Sequence, residues 1–218
     1  MHYTGSRSAL ATLALSIAAS SLFMPEAYAA DPDTAAHRLA RMQQDTAARP
    51  ALLIEGKKSA FFCANCHGEA GISRYPEVPN LAGQHPAYVL GQMDAFLTGK
   101  RKDEFMEGLM KVLSERDKAA IALHYAAAPV VPATAPGPRA AEGGKLFATL
   151  CARCHQPDAR GGEAFPRLAG QQREYIRLSL NRYLSQTGGR LYAPMTAAVT
   201  QLGANNIDAM ADYLSGLE

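Results

Sequence analysis

The chain of 218 residues contains no tryptophan, and aromatic residues make up only 7% of it. A core built on large aromatic side chains is thereby excluded, so a small folding unit must find its apolar volume elsewhere. Net charge is almost absent: 22 basic residues stand against 20 acidic ones. No basic tract interleaved with aromatics occurs, so nucleic acid is not an expected partner. Alternating runs of the kind that build strands are scarce, while Ala, Leu, Gln, Lys and Arg are plentiful, which points to an all-α fold. Long apolar stretches are missing but for one, Ala9 to Phe23, whose 15 residues fall short of the roughly 20 that a spanning helix needs. That run follows Arg7 and leads to Ala27-Tyr28-Ala29, the small-x-small pattern read by a signal peptidase. Residues 1–29 are therefore expected to be a cleaved signal peptide, with a retained anchor as the alternative, and the protein is expected in a bacterial periplasm.

Cysteine is equally sparing. There are four, at Cys63, Cys66, Cys151 and Cys154, and a histidine follows each pair, His67 and His155. In an exported chain four cysteines ordinarily suggest two disulfides. Here each pair is three residues apart and would close a tiny loop of little entropic value. A thioredoxin-like redox pair would need a βαβ pattern, and a zinc site built from the four sulfurs would leave both histidines without a role. Cys-x-x-Cys-His in an exported protein is the signature of c-type haem attachment. The two thiols add to the porphyrin vinyl groups and the adjacent histidine becomes the proximal iron ligand. Two such motifs with no spare cysteine imply two covalently bound haem c groups.

The chain is also a repeat. An offset of 88 residues brings Cys63 onto Cys151, and an offset of 87 brings "PNLAGQHPAYVLGQM" from Pro79 onto "PRLAGQQREYIRLSL" from Pro166. Gly56-Lys57 falls on Gly144-Lys145 and Tyr125 on Tyr213 at 88. The expected organisation is a signal peptide (1–29), an N-terminal extension (30–54), a first domain (55–128), a Pro/Ala-rich linker (129–138) and a second domain (139–218). The linker region carries Pro129, Pro132, Pro136 and Pro138, which forbid helix and favour an extended, semi-rigid connection. Each domain reads as a helix running into the Cys-x-x-Cys-His motif, a loop with Pro-x-Leu-Ala-Gly-Gln, a middle helix and a closing helix. Pro86 suits the first turn of the middle helix, which should stop at Gly99. Ser114 with Asp117 resembles a capping box, and Asn205 with Asp208 is expected to do the same. The extension should form one helix after Asp33 that ends before Pro50.

The second axial ligand decides between electron transfer and catalysis. A thioether is soft and neutral and favours Fe(II). The repeat narrows the methionines: Met106 lies seven residues before Leu113 and Met195 seven before Leu202. Met93 falls opposite Leu180, Met110 opposite Val199 and Met210 on Ala122, all positions that read as packing. Met106 and Met195 are therefore the expected ligands, with Met110 as the alternative in the first unit. His85 and His124 have no counterpart histidine in the second unit and read, like His37, as surface or interface residues.

Two Cys-x-x-Cys-His units, each with Pro-x-Leu-Ala-Gly-Gln, a downstream Met and a closing Tyr, resemble the dihaem cytochrome c4 family over nearly the whole mature chain. The resemblance implies two tandem class I cytochrome c domains. It also implies that the carbonyls of Pro79 and Pro166 accept the Nδ1–H of His67 and His155, which would orient each ring and tune its iron. Gln and Tyr of the repeated loop either line the haem edge or cap and pack. Gln156 departs from the pattern, standing where Gly68 stands in the first unit. The expected function is single-electron transport between a respiratory donor and a terminal oxidase or reductase, without catalysis. The alternatives are a dihaem subunit draining a periplasmic dehydrogenase, such as a flavin-dependent sulfide dehydrogenase, and a dihaem peroxidase-like enzyme. Expected partners are redox proteins: a membrane respiratory complex, a terminal oxidase or a dehydrogenase, with peripheral association at the membrane. No small-molecule substrate is expected.

Overall fold

The computed structural model describes residues 1–2 and 34–218; the signal-peptide reading of residues 1–29 lies outside these. Helices follow in the order α1 (Ala35–Gln44), α2 (Arg49–Ser59), α3 (Phe61–His67), α4 (Pro86–Leu97), α5 (Glu104–Val112), α6 (Glu115–Ala126), α7 (Ala140–Leu150), α8 (Ala152–His155), α9 (Arg173–Ser185), α10 (Ala193–Leu202) and α11 (Ile207–Leu214). No strand occurs among the described residues, and no helix there is long and apolar enough to cross a membrane.

Two apolar cores form. In the first, Leu52, Val89, Leu90, Met93, Phe96, Met110 and the stretch Ala119 to Tyr125 close around one another. In the second, Phe147, Ala159, Ile176, Leu202, Ile207, Met210 and Leu214 do the same. Each core is stitched where the first helix of its half meets the closing one. A Cβ at Gly56 would overlap the Ala120 carbonyl, and one at Gly143 would overlap that of Ala209. Glycine is needed there because the helix backbones touch. Burying one large apolar side chain in such a core contributes about 1.5–3 kcal/mol, so a backbone contact that brings several together matters more than any one of them.

Local signals act largely as the sequence suggests. Pro86 occupies the first turn of α4, and Gly99 follows it at φ +67°. Ser114 accepts from the Asp117 amide and the Asp117 carboxylate accepts from that of Ser114, a full capping box on α6. The expected cap at Asn205 is corrected: α11 starts after a 3₁₀ turn over Ala204–Asn206, and the Asn206 side chain donates to Leu202 O at 2.8 Å. Gly203, at φ +75°, turns the chain so sharply out of α10 that Asn205 never reaches a cap position. Thr34 caps α1, which ends at Gln44, before Pro50 as the sequence predicts; Asp45 then accepts from the Ala48 amide at 2.9 Å and Pro50 stands in the first turn of α2. Ala35, Leu39 and Met42 bury α1 in the first core, and the Ala35 amide donates to Glu115 at 2.8 Å. The helices α5 and α10, which carry Met106 and Met195, were not anticipated.

The repeat register shifts along each half. Gly83 N–H donates to Tyr125 O, and its counterpart Gly170 N–H donates to Leu214 O. The residue in the place of Tyr125 is thus Leu214, not Tyr213, and Met210 matches Ile121, not Ala122. At the start of each half it is Gly143, not Gly144, that matches Gly56. One residue gained before Cys151 is lost in the loop before Pro166. The linker is no loose spacer: Thr134 bonds Ser215, and the amides of Gly137 and Arg139 donate to Asp212. A Cβ on Gly83 or on Gly170 would press on Val130, which places this linker residue between the two repeated loops.

Candidate functional site

In each half the two cysteines lie three residues apart on a helical turn, which puts both sulfurs on one face, with the histidine directly after them. All four cysteines are half-buried, and none pairs with another as a disulfide. Burial pushes the Cys63 thiol up and takes that of Cys151 to about 11, with Cys66 and Cys154 adding repulsion.

His67 and His155 are buried at 8% and 4% exposure. His67 Nδ1 lies 2.8 Å from Pro79 O, and His155 Nδ1 lies 3.1 Å from Pro166 O. A carbonyl only accepts, so Nδ1 carries the proton and Nε2 presents its lone pair. Burial lowers the pKa of both rings against the opposing effect of those carbonyls, keeping them neutral. Nε2 of His155 is fully buried and has no hydrogen-bond partner in the described structure. A neutral imidazole held by Nδ1, with Nε2 unpartnered, has the donor chemistry that a haem iron requires.

Met106 lies in the first turn of α5, where Asp103 accepts from its amide at 3.0 Å, and Met195 in the first turn of α10. Both are half-buried. Met110 and Val199, one turn further along, are 1% and 2% exposed, and Met110 packs in the first core. The alternative ligand Met110 is thus packed away from solvent, while Met106 lies at the edge of that core and Met195 takes the matching position in α10.

Sequence reasoning missed a second set of residues. Arg101 and Arg190 stand five residues before Met106 and Met195, a matched spacing that could have exposed them. Both donate to the Tyr175 hydroxyl, at 3.0 and 2.9 Å, Arg101 across the seam between the halves and Arg190 from within the second half. Neither meets a carboxylate among the described ion pairs. Burial pushes Tyr175 up, yet the two guanidiniums outweigh it and hold the phenol well below its ordinary range. Tyr88, its counterpart, is pushed up to about 12 by burial. Gln84 and Gln171 of the repeated loop reach across the same seam. His85 also crosses it, 2.8 Å from Arg160 O, whereas His124 stays in its own half beside Glu69 O at 3.2 Å.

The cytochrome c family model matches residues 140–218. Cytochrome c4 of Pseudomonas aeruginosa is 32% identical over 174 residues, which span 74% of this chain and 87% of the relative. The chain belongs to the cytochrome c4 family. A thiosulfate dehydrogenase electron acceptor of Thiomonas intermedia is 32% identical over 77% of this chain and 84% of its own. The crystal structure of reduced recombinant cytochrome c4 from Pseudomonas stutzeri superposes with a TM-score of 0.68 at 28% identity, covering 75% of this chain and 97% of that one. As a member of this family the protein is a dihaem electron-transfer cytochrome, with two haem c groups covalently held by the Cys63/Cys66 and Cys151/Cys154 pairs. Its fold is two tandem class I cytochrome c domains.

Proposed function

We propose that this protein is a periplasmic carrier that takes one electron at a time from a respiratory donor and passes it to a terminal oxidase or reductase. The two haem units comprise residues 55–128 and 139–218, joined through 129–138. The observation that carries the reading is the duplicated constellation: paired thiols, a buried histidine anchored at Nδ1, and a half-buried methionine at the matching position of the next helix. His67 and Met106 would be the axial ligands in the first unit, His155 and Met195 those in the second. When bound, each haem supplies a one-electron Fe(III)/Fe(II) couple, and the protein residues set its potential. Pro79 and Pro166 hold the histidine rings in one orientation. The thioethers favour the ferrous state. Arg101, half-buried, and Arg190, buried, bring positive charge without a protein carboxylate partner, suited to the propionates. With His67, Met106, His155 and Met195 all holding iron, no site would be left open to substrate, and the chain would carry electrons without chemistry of its own.

The partners are redox proteins that dock at a membrane complex or in the periplasm. A second reading is the electron-accepting subunit of a periplasmic dehydrogenase, which the relative from Thiomonas intermedia favours. A potentiometric titration followed at the α-band and at the weak far-red band of Met-ligated Fe(III) tests the carrier reading. Two waves that both carry the far-red band support it, and a haem without that band sinks it. Rapid reduction of the purified holoprotein by a thiosulfate-oxidising enzyme, with slow reduction by a respiratory donor, would favour the second reading.

A further inference from the structure

The two loops that hold the proximal histidines are clamped crosswise. Gln171, in the second half, accepts the Asn80 N–H at 2.7 Å and donates to the Asn80 carbonyl at 3.0 Å. Gln84, in the first half, accepts the Arg167 N–H at 2.8 Å and donates to the Arg167 carbonyl at 3.0 Å. Both glutamines are 6% exposed. A second reciprocal pair runs alongside: Gln172 Nε2 donates to Ser73 O at 2.6 Å, and His85 Nε2 faces Arg160 O at 2.8 Å.

The glutamine contacts differ in kind from this second pair. The N–H of Asn80 and the carbonyl of Pro79 belong to one peptide group, and so do the N–H of Arg167 and the carbonyl of Pro166. An amide whose N–H donates a hydrogen bond shifts electron density onto its oxygen, and hydrogen-bond chains strengthen one another in this way in a low-dielectric interior. Each glutamine therefore makes the carbonyl that receives the histidine Nδ1–H a better acceptor. A stronger Nδ1–H bond raises the basicity of Nε2 as a ligand, which stabilises Fe(III) over Fe(II). Gln172 and His85 bond carbonyls elsewhere in the loops, and Gln172 also donates to the Asn80 side-chain oxygen at 3.2 Å; neither touches those two peptide groups. We propose that Gln84 and Gln171 are positioning residues that lower, crosswise, the reduction potential of the haem in the opposite half. The inference rests on His67 and His155 being the proximal ligands.

The test is potentiometric titration of the holoprotein carrying Gln171→Leu, Gln84→Leu or the control Gln172→Leu. Each is made with and without Met195→His so that the two waves are assigned. Gln171→Leu should raise the potential of the haem at His67 by a roughly threefold change in the one-electron equilibrium, about 28 mV. Gln84→Leu should do the same to the haem at His155, and Gln172→Leu should shift neither. Where a leucine variant fails to incorporate haem, Gln171→Glu replaces it: the retained acceptor oxygen, now charged, should leave the His67 haem unchanged or lower it. A shift confined to the haem of the substituted half overturns the proposal. So do equal shifts from Gln172→Leu, no shift from either leucine variant, and a rise with Gln171→Glu. Absence of the far-red band from the unsubstituted protein would instead defeat the Met106 and Met195 reading alone; the proposal, which rests on His67 and His155, is still decided by the shifts.

Discussion

Replacing Gln156 by glycine should stabilise the second domain. Gln156 ends α8 at φ +66°, ψ 156°, while its counterpart Gly68 ends α3 at φ +79°, ψ 152°. That corner of backbone space is nearly reserved for glycine, and a side chain held there costs about 1–3 kcal/mol. Glycine returns about 0.5–1 kcal/mol of this through its larger entropy in the unfolded chain. The net gain is about 1 kcal/mol, which for a unit of this size raises the midpoint of thermal unfolding by about 4–8 °C. Haem absorbance and far-UV circular dichroism, followed through a thermal or guanidinium transition, should show the later unfolding of one domain only. The mirror substitution sharpens the test. Gly68→Ala places a Cβ onto the Ile72 carbonyl, backbone that has nowhere to go, and should cost more than Gln156→Gly gains. An unchanged or lowered midpoint for Gln156→Gly, together with a tolerated Gly68→Ala, would refute the reasoning.

Met106→His and Met195→His should each lower one haem potential by roughly 0.2 V, inside the about 0.8 V range that axial ligands command, and titration would then show two separated waves. Met110→Leu should leave both potentials in place, because Met110 lies in the core and Leu conserves its volume at a cost below about 1.5 kcal/mol. Gly143→Ala should destabilise the second domain by about 1–3 kcal/mol, since its Cβ would overlap the Ala209 carbonyl; denaturant unfolding measures this. The hydroxyls of Ser114 and Ser59 hold the Asp117 carboxyl below the usual range. The folded value lies under the unfolded one of about 3.9, so its contribution is complete above that pH and is lost as pH falls through the folded value. Asp117→Asn should therefore cost about 1 kcal/mol at pH 7 and progressively less in acid, as unfolding curves against pH would show.

How much was legible depended on whether a property is local. The Cys-x-x-Cys-His motifs, Pro86 in the first turn of α4 and the Ser114–Asp117 box act within a few residues, and their spacing alone placed them. Arg101 and Arg190 escaped because a lone arginine in a loop has no local signature; the seam between the halves brings Arg101 onto Tyr175, and the fold of the second half brings Arg190 there. Gln84 and Gln171 were visible as a repeated pair, but neither alternative, a haem edge or a cap, foresaw partners more than 80 residues away.

The register of the closing helix failed for a similar reason, and its physics is instructive. Matching Tyr125 with Tyr213 rewarded chemical identity, whereas the backbone matches Tyr125 with Leu214. A Cβ on Gly71 would press on both the Ala82 amide and the Tyr125 ring, so the first domain pairs a glycine with a large aromatic. At the corresponding place in the second domain Ala159, fully buried at φ +57°, packs in the core that contains Leu214. Volume surrendered at one position is recovered at the other. Two halves that diverged in this way keep one backbone while exchanging side-chain bulk across the core, and an alignment that scores residues singly has no means to see the exchange. Tyr213, displaced from the core site, stacks instead against Phe147 at 5.6 Å between ring centroids, on the side where Gly143 lets α7 approach α11.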